Sequence, residues 1–274
     1  MRKFVCIALA MCTVLMSKAQ PDSSFHLYIL VGQSNMAGRG EITASYRDMQ
    51  YNNIFMLNKA GDWVPARHPL HFDKPAIAGV GPGLAFAKAM ADSDSIKHLT
   101  RSSNNTNSRS TAPKVKIGLV PCAVGGSSIR SWIPGGYDSA TRTHPFDDAI
   151  ARIATAGKSG IFMGIIWHQG ESDSKPQAAS QYLKDLQILV ERFRTATRKP
   201  ALPFVAGELG TFRPAYQLIN VELKKLTRTI PASALASSND LKHKGDSTHF
   251  DSHSADELGK RMAEKMIVLQ TAGK

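Results

Sequence analysis

Cysteine is nearly missing from this chain, which has only Cys6, Cys12 and Cys122 among 274 residues. The first two lie in an N-terminal segment that reads as removable, so Cys122 would stand alone with no intramolecular disulfide to brace the fold. Stability must then come from a packed core. After that first segment there is no apolar run near the about 20 residues a membrane-spanning helix needs, so no stable membrane insertion is expected. The formal charge is +12, yet no Lys/Arg run or aromatic-basic recognition motif accompanies it. Dispersed charge of this kind reads as solvated surface and speaks against nucleic acid as a partner. Metal and cofactor signatures are lacking too. His68 and His71 have no second pair at zinc-ligand spacing and no HExxH beside them. Gly79-Val80-Gly81-Pro82-Gly83 lacks the GxGxxG spacing after a strand.

What the N-terminus does have is a secretory pattern. Arg2 and Lys3 precede an apolar run from Phe4 to Met16, and Ser17-Lys18-Ala19 places small residues three and one before a cut after Ala19. Met11 before Cys12 is not the small residue of a lipidation box. Cleavage would release a secreted or periplasmic product of 255 residues carrying +9, since Arg2, Lys3 and Lys18 leave with the leader. That length suits a single α/β domain over residues 20–274.

Short apolar runs alternate with amphipathic stretches, the pattern of a parallel sheet covered by helices. The predicted strands are His26 to Val31, Lys116 to Pro121, Ile161 to Trp167, Pro203 to Glu208 and Ser233 to Ser237. The predicted helices are Gly83 to Ala91, Pro145 to Thr155, Gln177 to Ala196, Pro214 to Thr227 and Ser254 to Leu269. Together they predict a three-layer α/β/α sandwich around about five parallel strands with right-handed crossovers. The polar stretch 92–114 breaks the rhythm and reads as a flexible surface insertion.

Ligands in such sheets bind at the carboxyl ends of the strands. Polar segments fall there: Gly32 to Gly38 after the first strand, Cys122 to Ser128 after the second, His168 to Asp173 after the third, and Gly245 to Phe250 beyond the fifth. A serine hydroxyl needs a base to accept its proton, and that base needs a third group to hold its tautomer. Ser34 is the candidate nucleophile and His249 the candidate base, with Asp246 three residues earlier. Taken singly, a serine after a strand is more often a helix cap and Asp-x-x-His more often a surface turn. An ester's tetrahedral oxyanion also needs preset donors. The Ser34 N–H, an N–H of Gly125-Gly126 and the Gln169 amide are available. The same Asp-x-x-His block accounts for the run His243, His249, His253 better than a metal site does.

The segments GQSNMAG, PCAVGGSSIRSW, IIWHQGESD and GDSTHFD, in this order, resemble the four blocks of the SGNH hydrolase superfamily. More specifically, they look like its branch of sialate O-acetylesterases and carbohydrate esterase family six acetylxylan esterases. The resemblance runs from about Phe25 to Met266, apart from the insertion. It implies the flavodoxin-like SGNH fold, and with the missing motifs no cofactor is expected. It further implies Ser34 as nucleophile, His249 as general base, Asp246 as acid, and an oxyanion hole from Ser34, Gly126 and Gln169. Some relatives use the glutamate of HQGE as the acid, which here is Glu171. Asp246 is preferred for its short spacing to His249.

Arg130, Trp132, Arg39 and His168 are weaker candidates for substrate contact, because a Trp in a loop is as often a packing anchor. The expected reaction is hydrolysis of acetyl esters on a carbohydrate, sialic acid or xylan, through an acyl-enzyme. A broader short-chain esterase or lipase and a carbohydrate-binding pseudo-enzyme are the alternatives.

Overall fold

The structure is a computed structural model that describes residues 20–103 and 115–272. The leader read in residues 1–19 lies outside the described residues, as does 104–114 within the expected insertion. In chain order the elements are β1 (Asp22–Gly32), α1 (Ser34–Ala37), α2 (Ala44–Arg47), β2 (Ile54–Leu57), β3 (Trp63–Pro65), α3 (Gly83–Ser103), β4 (Lys116–Pro121) and α4 (Pro145–Ala156). They continue with β5 (Gly160–His168), α5 (Pro176–Thr197), β6 (Phe204–Gly207), α6 (Gln217–Leu223), α7 (Leu226–Thr229), β7 (Ser233–Ala236) and α8 (Ser252–Ala272).

The described residues form one seven-stranded sheet in the order β3-β2-β4-β1-β5-β6-β7. All neighbours are parallel except the edge pair β2–β3, which is antiparallel. The α/β expectation therefore holds with two more strands than the five predicted. The missed pair is short, and its turn from Asn58 to Asp62 is pinned by the Asp62 N–H on Asn58 Oδ1 at 2.9 Å. Helix α3 continues through residue 103, so the first part of the segment expected to be a loop is helical. The helix predicted from Pro214 to Thr227 is divided into a 3-10 turn at Pro214–Tyr216, then α6 and α7.

Strand β1 is the axis of the molecule. Leu27, Tyr28, Ile29, Leu30 and Val31 are all fully buried, as a central strand covered on both faces requires. Alternation assigns them to two cores. Leu27, Ile29 and Val31 pack with α4, α5 and α6 through residues such as Ile153, Leu186 and Ile219. Tyr28 and Leu30 pack with α3 and α8 through Phe86, Met90 and Met262. Each such side chain stabilises the fold by about 2 kcal/mol, so the segment after β1 projects from a rigid base. The flanking helices follow local rules. Pro145 and Pro176 stand in the first turns of α4 and α5, and Asp147 and Asp148 favour the positive end of α4.

Asp256 of α8 sits against Tyr46 of α2. Burial pushes its carboxyl up to about 6, despite Lys260, the Tyr46 hydroxyl and His253. The folded state therefore holds an extra proton at this site between about pH 4 and 6, and the site's contribution to stability is lost as pH rises through that window. Asp256→Asn is expected to stabilise the protein at pH 7.5 by about 1 kcal/mol, after allowing for partial solvent screening. At pH 4 the difference from wild type should vanish. Urea titrations at the two pH values check this, and an equal effect at both would refute it.

Candidate active site

The carboxyl ends of the central strands are tied together before the chain turns into the site. Gln33 N–H donates to His168 O at 2.9 Å and Val124 N–H to Gly32 O at 2.9 Å. Gly32 has φ +138°, and a Cβ there would fall 2.1 Å from His168 O. Only glycine fits this turn. It delivers Ser34 to the first position of α1, where its N–H has no acceptor within the helix.

Ser34, His249 and Asp246 come together across 215 residues of sequence. Ser34 Oγ lies 2.9 Å from His249 Nε2, and His249 Nδ1 lies 2.7 Å from Asp246 Oδ2. A carboxylate can only accept, so Nδ1 carries the proton and Nε2 is left to accept from the serine hydroxyl. Asp246 Oδ1 also receives the N–H groups of Thr248 at 2.9 Å and His249 at 2.8 Å. Burial raises the Asp246 carboxyl, but these hydrogen bonds and the imidazole outweigh it and hold the group at about 2. Glu171, the alternative acid, has a different partner: its Oε1 accepts from Asn35 Nδ2 at 2.5 Å. Among the described residues no hydrogen bond or ion pair joins it to His249.

The candidate oxyanion donors divide. Gly126, with φ +89°, lines the same cleft as Ser34, and its N–H has no partner among the described residues. The loop is anchored beside it, since Gly125 N–H donates to Asp73 Oδ2 at 2.7 Å and Asp73 also pairs with Arg39 at 3.0 Å. Gln169 does not face the cleft. It is fully buried, and its Nε2 is turned onto Asp173 Oδ2, Gln33 Oε1 and Ser127 O. The acidic Asp173 draws the amide inward. Gln33 lies at the cleft instead, with its Oε1 held by Gln169 Nε2 and two backbone N–H groups. No partner binds its Nε2 among the described residues.

Of the weaker candidates only Arg39 lines the cleft. Trp132 is a core residue, with its indole N–H on Ser127 Oγ at 3.0 Å and its ring edge-on to Trp167. His168 is fully buried, bonded through Nε2 to Glu208 O, and burial lowers its pKa. Arg130 is exposed and does not line the cleft. Sequence reasoning missed Asp73, Lys74, Ile77, Arg213 and Tyr216; the last four line this cleft of about 360 Å³. They come from loops whose approach to Ser34 has no local signal. Among the described residues, no group of three or more His, Cys, Asp or Glu is placed to hold a metal ion.

A mostly parallel sheet with a serine, a histidine and a carboxylate at its carboxyl edge fits a hydrolase of the SGNH type. The model of one family, carbohydrate esterase, sialic acid-specific acetylesterase, matches residues 24–268. The chain belongs to that family and is an acetylesterase. A protein of Arabidopsis thaliana described as a probable carbohydrate esterase is 26% identical over 258 residues, covering 88% of this chain and 90% of the plant protein. A crystal structure from Arabidopsis thaliana superposes with a TM-score of 0.71 at 26% identity, covering 89% of this chain and 98% of that one. The crystal structure of NanS is similar in fold, with a TM-score of 0.61 at 18% identity over 93% of this chain and 99% of its own.

Proposed function

We propose that this acetylesterase removes acetyl groups from an anionic sugar, sialic acid, through a covalent acetyl-enzyme on Ser34. The carrying observation is the hydrogen-bonded series Ser34 Oγ, His249 Nε2, His249 Nδ1, Asp246 Oδ2, opening on a cleft. His249 takes the hydroxyl proton as Ser34 Oγ attacks the ester carbonyl, then gives it to the departing sugar oxygen. Water, deprotonated by the same imidazole, attacks the acetyl-enzyme; acetate leaves as the Oγ–acyl bond breaks, and the imidazolium returns the proton to Ser34 Oγ. The N–H groups of Ser34 and Gly126 supply the oxyanion contacts, and the Gln33 amide takes the part first given to Gln169.

The sign of the sugar follows from the cleft wall. Arg39 is neutralised by Asp73. Arg213 gives hydrogen bonds to the Ser247 and Asp246 carbonyls and pairs with no carboxylate among the described residues. No carboxylate pairs with Lys74 among the described residues, and its ammonium lies 3.8 Å from where a Gly126 Cβ would be. Two cations without a carboxylate partner among the described residues favour a carboxylate-bearing sugar over neutral xylan.

The test is hydrolysis of O-acetylated sialic acid and acetylated xylo-oligosaccharides side by side. Lys74→Ala should raise KM for the sialate about 10-fold, the value of one partly exposed charge-assisted hydrogen bond, and move KM for the xylo-oligosaccharide less than twofold. Arg213→Ala should raise KM for the sialate similarly and, because it also frees the Ser247 and Asp246 carbonyls, lower kcat on both substrates. Equal KM changes on both substrates in Lys74→Ala, or a wild-type preference for xylan, would replace sialic acid with a neutral sugar. Export is part of the proposal, and the mature protein recovered outside the cytoplasm should begin at Gln20.

A further inference from the structure

We propose that Glu171 and Asn35 act as a positioning pair that fixes the base-bearing loop against the nucleophile. Glu171 is then neither the acid partner of His249 nor a substrate ligand. The proposal rests on His249 being the general base. Asn35 follows Ser34 directly, and its side chain grips both backbone groups that flank His249. Its Nδ2 donates to Thr248 O at 3.0 Å, and its Oδ1 accepts from Phe250 N–H at 3.0 Å. The remaining amide hydrogen goes to Glu171 Oε1 at 2.5 Å. All three hydrogen-bonding groups of the buried Asn35 amide are thereby used.

The arrangement has a directional logic. An asparagine amide can rotate by half a turn and exchange its oxygen for its nitrogen. Flipped, Asn35 would set N–H against the Phe250 N–H and oxygen against both Thr248 O and Glu171, so every contact would become repulsive. Glu171, which can only accept when ionised, locks the orientation that holds residues 248 and 250. The side chain of Glu171 is itself almost fully buried, and among the described residues the nearest basic group is the buried His168 Nδ1 at 3.8 Å. Ser34 and His249, 215 residues apart, are thus held in register by the residue next to the nucleophile. Beyond these contacts, loop 246–249 is held from outside by Arg213 on the Ser247 and Asp246 carbonyls and is otherwise fastened to itself and to His243. A shift of about 1 Å in a reacting group can cost about 100-fold in rate, so a lock on this loop has kinetic weight.

The test compares Glu171→Gln, Glu171→Ala, Asn35→Ala and the double variant Glu171→Ala/Asn35→Ala, with His249→Ala as reference. Each is measured for kcat and KM on O-acetylated sialic acid and for thermal melting. Glu171→Gln keeps a carbonyl acceptor for Asn35 and should hold kcat within about threefold of wild type. Glu171→Ala should lower kcat about 10-fold to 30-fold with KM within twofold, and Asn35→Ala about 30-fold. The double variant should be no slower than Asn35→Ala alone, because both lose one lock.

Glu171→Gln as damaging as Glu171→Ala would overturn the proposal by showing that the charge acts directly. So would multiplicative losses in the double variant, or a Glu171→Ala effect confined to KM. If Asn35→Ala fails to fold, the two Glu171 variants decide alone. Wild-type turnover in His249→Ala would instead remove the assignment of the base, a separate failure.

Discussion

Replacing Ser34 by alanine is expected to lower kcat on an acetylated sugar by about 10⁴-fold or more, with the fold intact. The size follows from what remains. Without Oγ there is no acetyl-enzyme, and the residual rate is what oxyanion donors and substrate binding alone provide, about 10³–10⁴ over water in comparable sites. Intactness follows from the contacts. The Ser34 hydroxyl has one hydrogen bond, to His249 Nε2, and the imidazole lines an open cleft where water can take the serine's place. The methyl of alanine fits where the Cβ already sits, and α1 is held by Asn35 and Met36, which this change leaves untouched. Stability should therefore change by less than about 1 kcal/mol. Three measurements bear on it: steady-state kcat and KM, a thermal melt, and mass spectrometry for the acetyl-enzyme after rapid quench. A variant with a tenth of wild-type kcat would end the assignment of Ser34 as nucleophile. A variant with little activity and a collapsed melt would be uninformative about chemistry, which is why the melt accompanies the kinetics.

The segment that carries Ser34 to the sheet edge is legible in the sequence because two independent rules converge on it. Parallel sheets put ligands at the carboxyl ends of strands, and β1, β4 and β5 announce themselves as buried apolar runs that each end in a polar block. Alternation then resolves β1 into its two cores. The edge hairpin was illegible for the opposite reason. With four and three residues, β2 and β3 are at or below the shortest window in which a period of two can be counted, and no long helix pattern precedes them to mark their place as it does for the equally short β6. Helix α3 was cut short because polar composition tells that a segment is solvated and says nothing of whether it is helical.

Within the site, residue types were easier to read than side-chain directions. Trp132 and Gln169 both stand in loops beside Ser34, and both point into the protein. Nearby Ser127 and Asp173 hold their polar groups, but the direction is also set by Trp167 for one and Gln33 for the other, which come from other strands' ends. Asp73 was equally hidden. A loop aspartate is an ordinary surface residue until the fold places it on the Gly125 N–H and the Arg39 guanidinium.

The carboxylate behind His249 separates two chemical roles that sequence spacing could only rank. Asp246→Asn is expected to lower kcat about 10³-fold. Asparagine can keep its oxygen on the N–H groups of Thr248 and His249, which fix that end of the side chain. Its NH₂ would then face His249 Nδ1 at the position of Oδ2, and two donors cannot share that contact. The imidazole must move its proton to Nε2, which then donates toward Ser34 Oγ when it needs to accept. Loss of the charge adds to loss of the tautomer, because the imidazolium formed during attack loses its counter-ion. Asp246 is partly exposed, with 38% of its side chain accessible, and water screens part of that second effect. We therefore place the loss at about 10³, an order below the about 10⁴ of fully enclosed triads. Since the wild-type carboxyl titrates at about 2, it is ionised throughout the working range, and any acid limb between pH 5 and 8 belongs to another group. The wild-type and variant profiles of kcat/KM over that range, measured with Glu171→Gln alongside, give the answer. Asp246→Asn within 10-fold of wild type, with Glu171→Gln collapsed, would transfer the acid's role to Glu171.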